Sequence, residues 1–268
     1  MTIFLHSFNP QAIFFKLEPI TIYWYGLILL VAISAAILLA LYIGRYLNIK
    51  KDIILDLAFY LIIFGIIGAR IYDIFLELPY YINHPLQIFA LWEGGLAIHG
   101  GIVAGFITLY FFSKKNNISL LKLTAFITPS LALGQAIGRW GNWFNQELFG
   151  LPSNLPWSIP ININNRPLAY IESGFFHPTF LYESLACFIL FIILFSLFYS
   201  WKKNLSKKRL KIIIATYLGS YAFIRFMLEF IKVDSTPIFL NLRWPQIASI
   251  FMLAIALIII FIPHKNKI

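Results

Sequence analysis

PITIYWYGLILLVAISAAILLALYIG, residues 19–44, contains no Asp, Glu, Lys or Arg, and Arg45, Lys50 and Lys51 follow it closely. A spanning helix needs roughly 20 mostly apolar residues to cross the hydrocarbon core of a bilayer, and this run supplies them. Six further runs of the same kind lie at 53–76, 96–112, 120–143, 181–200, 212–231 and 245–262, the third being the shortest. Composition agrees, since 60% of the 268 residues are hydrophobic and 12% charged, against nearer half and a quarter in soluble domains. The expected fold class is an all-α integral membrane protein of about seven transmembrane helices. No internal repeat is visible, so one polytopic domain over 1–268 is the economical organisation.

A net charge of +10 in a soluble protein would suggest nucleic acid. Here the basic residues crowd short loops between apolar runs, so they report topology and no nucleic-acid partner is expected. Most Lys and Arg follow helices one, three and five or lie in the C-terminal tail, as with Lys114, Lys115, Lys207, Lys208, Arg209, Lys265 and Lys267. The positive-inside rule then puts the N-terminus outside and the C-terminus in the cytoplasm. No cleavable signal peptide is expected, because the first apolar run is too long for one and only Lys16 precedes it among basic residues. The single cysteine, Cys187, excludes an internal disulfide and any cysteine-based metal site, and it reads as core. No His, Asp and Glu set has metal-ligand spacing, and no phosphate-loop or dinucleotide fingerprint occurs.

Two outer segments are longer than turns. Residues 77–95 (ELPYYINHPLQIFALWEGG) mix aromatics with prolines and read as an interfacial arm at headgroup level. Residues 144–180, rich in Pro, Asn and Gly, read as a small, ordered extracytoplasmic cap.

Charges inside a membrane cost about 2.5–3.5 kcal/mol each on insertion scales and mark functional sites by default. In this topology Arg70, Arg139 and Arg225 fall at the outward ends of helices two, four and six. Tyr25, His99, Tyr182 and Glu183 fall at the outward starts of helices one, three and five. All therefore share one depth. On helix four, Gln135, Arg139, Asn142 and Asn145 or Gln146 recur at helical spacing and form one polar stripe. Arg225 and Glu229 are four apart and can pair. Arg70 reads either as a site residue or as a snorkelling side chain, with Asp73 and Glu77 continuing its face. The glycine pairs around His99 in GGLAIHGG (94–101) suggest close approach of something bulky. Arginines in a low-dielectric site bind phosphate bidentately, and a histidine takes up a proton near neutral pH. These properties suit an enzyme or binder acting on lipid phosphate at the outer leaflet. An anion or lipid transporter and a non-catalytic lipid-binding scaffold are the rival classes.

GRWGNWFNQELFG (138–150) closely resembles the signature of bacterial prolipoprotein diacylglyceryl transferases, Gly-Arg-x-Gly-Asn-Phe-x-Asn-x-Glu-x-x-Gly, with Trp143 in place of the Phe. WYGL (24–27), GAR (68–70), WEGGLAIHGG (92–101), HPTFLYE (177–183) and FIRFMLEFIK (223–232) continue the likeness in order along the chain. Two departures are WPQ (244–246) for the usual Met-Gly-Gln, with Gln246 kept, and Lys232 where Arg is common. The resemblance implies transfer of the diacylglyceryl group of phosphatidylglycerol to the lipobox cysteine of a prolipoprotein. A thioether forms and glycerol phosphate leaves, without metal or organic cofactor. It implies a bacterial cytoplasmic (inner) membrane location with the site facing the outer leaflet. The expected partners are membrane lipid, phosphatidylglycerol, and the signal peptide and lipobox of prolipoproteins. The expected catalytic residues are His99 as base, Arg139 and Arg225 on the phosphodiester, and Glu229 orienting Arg225. The expected substrate-binding residues are Tyr25, Arg70, Asn142, Asn145, Glu147, Gly150, Tyr182, Glu183 and Gln246.

Overall fold

Where lipid replaces water, a chain must satisfy its backbone internally, and a helix does so within one segment. The computed structural model, which describes residues 2–18 and 20–261, turns each expected run into a helix. In chain order the helices are α1 (Thr2–Ser7), α2 (Trp24–Gly44), α3 (Lys51–Leu76), α4 (Leu78–Asn83), α5 (Ile98–Lys115), α6 (Leu120–Phe144), α7 (Thr179–Trp201), α8 (Lys207–Leu228) and α9 (Trp244–Phe261). Among the described residues six of them, all the long ones except α5, are long and apolar enough to cross a membrane. Their surfaces agree with lipid as solvent: Leu30 and Leu38 of α2 are 61% and 67% exposed. A water-soluble fold does not display large apolar side chains along a whole helix in this way. The all-α, multi-pass membrane class holds. Helix α5 falls short in apolarity because His99, Lys114 and Lys115 share its 18 residues with three glycines.

Helix boundaries depart from the apolar runs in two instructive places. The first run was expected to be helical from residue 19, which lies outside the described residues. Ile20–Tyr23 instead forms strand β2, paired antiparallel with β1 (Ile13–Leu17). Apolar content does not separate helix from strand, and the β-branched and aromatic residues Ile20, Thr21, Ile22 and Tyr23 favour the strand. Helix α8 begins at Lys207, five residues before its apolar run, because Ser206 caps it by accepting from the Arg209 amide at 3.4 Å. Lys and Arg are good helix formers, so the turn propagates through them.

The described chain forms two compact units, residues 1–39 with 127–268, and residues 40–126. Within the smaller unit α3 and α5 cross closely. A Cβ on Gly68 would meet Ala104 and lie 2.7 Å from the Gly100 carbonyl. The segment 77–95 folds as α4 followed by short 3-10 turns at Pro85–Phe89 and Leu91–Glu93.

Within the larger unit the 144–180 segment is ordered around β3 (Ile159–Pro160) paired with β4 (Phe175–Phe176). Its core is Trp143, Phe149, Ile159, Ile161, Phe176, Phe180 and Leu181, and Leu5 of α1 completes it. The sequence reading assigned no element to residues 2–7, so α1 is an addition to the expected cap. A third hairpin, β5 (Ile238–Phe239) and β6 (Leu242–Arg243), joins α8 to α9. Leu240 and Asn241, both at positive φ (50° and 60°), make the tight turn whose twist suits a two-residue hairpin.

Candidate active site

The polar stripe of α6 leads into a folded-back turn. Arg139 donates to Asn142 Oδ1 at 3.2 Å, and Asn142 Nδ2 donates to Glu147 Oε1 at 2.8 Å. Asn145 Nδ2 reaches the same oxygen at 3.3 Å. Glu147 is brought back over the helix end because Gln146 and Leu148, at φ 52° and 54°, bracket it in the left-handed region. Such backbone is costly for non-glycine residues and persists only where neighbours enforce it. The enforcing bonds are the Glu147 amide to the Asn142 carbonyl at 3.0 Å and the Thr179 hydroxyl to the Leu148 carbonyl. Of the stripe's two alternatives, Asn145 joins the site. Gln146 turns away and bonds Asn9 and the Pro10 carbonyl.

One carboxylate organises the rest. Glu183, in the first turns of α7 and 1% exposed, receives Arg139 on Oε1 at 2.7 Å. Arg225 and Lys232 approach its Oε2 at 3.2 and 3.6 Å. The Tyr221 hydroxyl donates to Oε1 at 3.4 Å from one turn before Arg225. Arg225 also pairs with Glu229 Oε2 at 3.4 Å, and Arg243 reaches Glu229 Oε1 at 3.3 Å. Four cations thus share two carboxylates in one ion-paired cluster. Arg139 and Arg225 keep 20% and 18% of their side chains accessible, whereas Lys232 is enclosed. Burial holds the Lys232 ammonium below its ordinary range, with the Glu183 carboxylate opposing that shift.

Arg243 anchors the loop that carries Lys232. Its guanidinium donates to the carbonyls of Glu229 at 3.0 Å, Lys232 at 2.7 Å and Asp234, and to the Thr236 hydroxyl at 3.0 Å. These bonds satisfy backbone acceptors that the end of α8 leaves open. Gln246 is buried and accepts the Arg243 amide at 3.0 Å, so its side chain serves the same loop.

The other expected residues divide by task. Tyr25 lies against Gly141, where a Cβ would sit 2.7 Å from the Tyr25 ring. Gly150 bridges to Lys232 across the backbone, and a Cβ there would lie 2.9 Å from the Ile231 carbonyl. Both glycines are required by close approach. Gly138 has open space, so its motif position has no such steric cause. Tyr182 accepts from Trp157 Nε1 at 2.8 Å and lies beside His177, which ties α7 to the cap. Cys187 is fully buried, as its core assignment required.

Arg70 and His99 belong to the smaller unit. Arg70 is buried, which overturns the snorkelling alternative. Its guanidinium donates to the carbonyls of Gln87, Ile88 (3.0 Å), Ala90 (3.4 Å), Gly94 (2.7 Å) and Gly95 (2.8 Å). Asp73 lies 3.9 Å away and accepts from Tyr81 at 2.7 Å, whereas no ion pair of Arg70 with Glu77 forms among the described residues. Arg70 thus has its donors engaged by the 77–95 segment. His99 is exposed near the start of α5, with its ring centroid 6.0 Å from that of Tyr72. Two of the four glycines around it are closed off by internal packing, whereas Gly94 has open space. A Cβ on Gly95 would strike Arg70, and one on Gly100 would strike Gly68.

Sequence reasoning put Glu183 level with Arg139 and Arg225 without showing that it joins them. It missed Tyr221 and left Lys232 and Arg243 outside the expected site residues. The spacing of Tyr221 to Arg225 was the available signal for the first. Nothing local announces loop residues folding back on a helix start.

A family model described as prolipoprotein diacylglyceryl transferase matches residues 12–262. A phosphatidylglycerol–prolipoprotein diacylglyceryl transferase of Prochlorococcus marinus subsp. pastoris is 38% identical, covering 97% of this chain and 95% of the relative. Proteins of the same name from Synechococcus elongatus and a Nostoc species are 41% and 38% identical, covering 92% and 93% of this chain and 85% and 88% of those relatives.

Proposed function

Because the chain belongs to the prolipoprotein diacylglyceryl transferase family, we propose that it moves the diacylglyceryl group of phosphatidylglycerol onto the lipobox cysteine of prolipoproteins. The observation that carries this reading is the meeting of Arg139 and Arg225 on one buried carboxylate with part of each arginine side chain still accessible. A lipid phosphodiester entering there finds paired, dehydrated donors that need little reorganisation.

The reaction is an alkyl transfer. The cysteine sulfur attacks the glycerol carbon that bears the phosphate ester, the carbon–sulfur bond forms and the carbon–oxygen bond breaks. Glycerol phosphate leaves with the electron pair. The thiolate is the nucleophile, and a free thiol has a pKa of about 8.5, so a base near neutrality accelerates the step. His99 fills that role, taking the thiol proton directly or through water. Arg139 and Arg225 hold the phosphate as its charge grows, and Glu229 orients Arg225. Asn142 and Glu147 form the polar wall that receives the headgroup, with Asn145, Tyr25, Tyr182 and Gly150 shaping its rim. Glu183 sets the two arginines at a common spacing. Gln246 acts through Arg243. Arg70 supports the 77–95 segment, and a direct substrate contact would require it to release a carbonyl.

The protein resides in the bacterial cytoplasmic membrane as a single polytopic domain. Its N-terminus is extracytoplasmic, its C-terminus cytoplasmic, and the site faces the outer leaflet, as the distribution of Lys and Arg supports. The 77–95 segment lies in the interface, and the signal-peptide helix enters beside the lipid.

Purified protein supplied with phosphatidylglycerol and a lipobox peptide tests this. A diacylglyceryl mass gain on the peptide with stoichiometric glycerol phosphate is expected, and neither product would overturn it. In the same assay His99→Gln should slow turnover about a hundredfold. Near-normal turnover across pH would remove the base assignment alone.

A further inference from the structure

A second polar feature lies beyond the ion-paired cluster. The segment leading into β1, the end of α6 and the turn at Ile163–Asn165 enclose a cleft of about 330 Å³. It is lined by Gln11, Asn145, Gln146, Asn162 and Asn165, which carry carboxamides, and by no charged residue among the described residues.

The bonding state of these groups separates scaffold from free valence. Gln146 is spent: its amide donates to Asn9 and to the Pro10 carbonyl, and its oxygen accepts the Asn162 amide at 2.7 Å. Asn162 Oδ1 accepts from Asn9 at 2.8 Å. Gln11, by contrast, has neither end of its side chain bonded among the described residues, and the same holds for the oxygens of Asn145 and Asn165. The backbone N–H groups of Gln11 and Ala12 also make no bond among the described residues, while the Ala12 carbonyl accepts the Trp24 amide at 2.9 Å. Phe144 and Ile13 add apolar surface.

A carboxamide offers a donor and an acceptor together. A neutral wall of such groups beside open backbone amides suits a ligand that alternates N–H and C=O, which is an extended polypeptide. Phosphate would call for cations, and an apolar ligand would leave the amides unsatisfied. Asn145, on the cleft wall, connects through Glu147 and Asn142 to Arg139, so the cleft adjoins the cluster by a continuous hydrogen-bonded chain.

We propose that this cleft binds the main chain of the acceptor polypeptide on the extracytoplasmic side of its cysteine. The inference rests on the transferase reading, because that reading supplies a peptide substrate at this face. It assigns recognition of residues beyond the cysteine to main-chain bonding, so acceptors with unrelated sequences there are accommodated alike.

The test uses the full-length protein with Gln11→Ala and Asn165→Ala combined, neither residue belonging to the ion-paired cluster. Two lipobox peptides serve as acceptors, one ending at the cysteine and one extended five residues past it. The double variant should raise KM for the extended peptide about tenfold. Its kcat, its KM for phosphatidylglycerol and its KM for the short peptide should stay unchanged. As a readout free of chemistry, Kd for an extended peptide with serine in place of cysteine should rise by the same factor. N-methylating the main chain past the cysteine should weaken binding to the unaltered protein similarly, which covers a variant that fails to fold. Equal losses with both peptides, or none, would overturn the proposal. A raised KM for phosphatidylglycerol alone would assign the cleft to the lipid headgroup and overturn it too. If the unaltered protein transfers nothing to either peptide, the transferase reading falls, and the serine-peptide binding still decides the cleft.

Discussion

Arg70 and the Arg139–Arg225 pair are all arginines at helix ends, yet their surroundings differ in kind. Arg70 has spent its donors on five backbone carbonyls of one segment. Arg139 and Arg225 share a carboxylate and keep part of their surface open. Saturating a guanidinium with carbonyls fixes a loop. Balancing two guanidiniums on one carboxylate fixes their spacing and leaves donors for an incoming anion. Burial of charge alone therefore does not identify a reactive centre; the unspent valence does.

The largest effect that tests this contrast is at the pair. Arg139→Ala or Arg225→Ala should lower transfer at least about a thousandfold with membrane insertion intact, in the peptide mass assay. Arg139→Lys should recover little, because a point charge lacks the fork. Glu183→Gln keeps the shape and removes the shared counter-charge. It should cut kcat about a hundredfold and lower thermal stability, since breaking a buried ionic contact costs about 3 kcal/mol. Arg70→Met should reverse the pattern. Stability should fall by about 3 kcal/mol, with early proteolysis within 77–95, while activity per folded molecule stays within about threefold. A thousandfold loss at Arg70 with unchanged stability would erase the distinction.

The smallest effect concerns Lys232. Its depressed ammonium sheds a proton at lower pH than an ordinary lysine, so the cluster loses positive charge as pH rises toward the alkaline range. Lys232→Arg keeps that charge and should move the alkaline limb of activity to higher pH.

The helices were legible because apolar runs report burial in lipid wherever they fall, and the shared depth of Arg139 and Arg225 followed from charge topology. The β1–β2 hairpin was not, because Ile20–Tyr23 is apolar in either conformation. Arg70 was ambiguous because its partners are carbonyls, which every residue carries. Glu183 was expected level with Arg139 and Arg225, but Lys232 also reaches it, from a loop after α8. Arg243 fixes that loop from the edge of α9. Such closures join segments far apart in sequence, and no local period encodes them.

The dependence of the cap on the first ten residues bears on how the protein is made. Leu5 packs with residues 143–181, His6 meets the Ser158 carbonyl at 3.2 Å, and Asn9 bonds Gln146. At about 5–20 residues per second, the ribosome takes on the order of ten seconds to supply those partners after Leu5 has been made. The leading segment must wait unpartnered while successive spans enter the bilayer, and it docks late. A bulky fusion ahead of Leu5 should therefore hinder maturation far more than one behind α9.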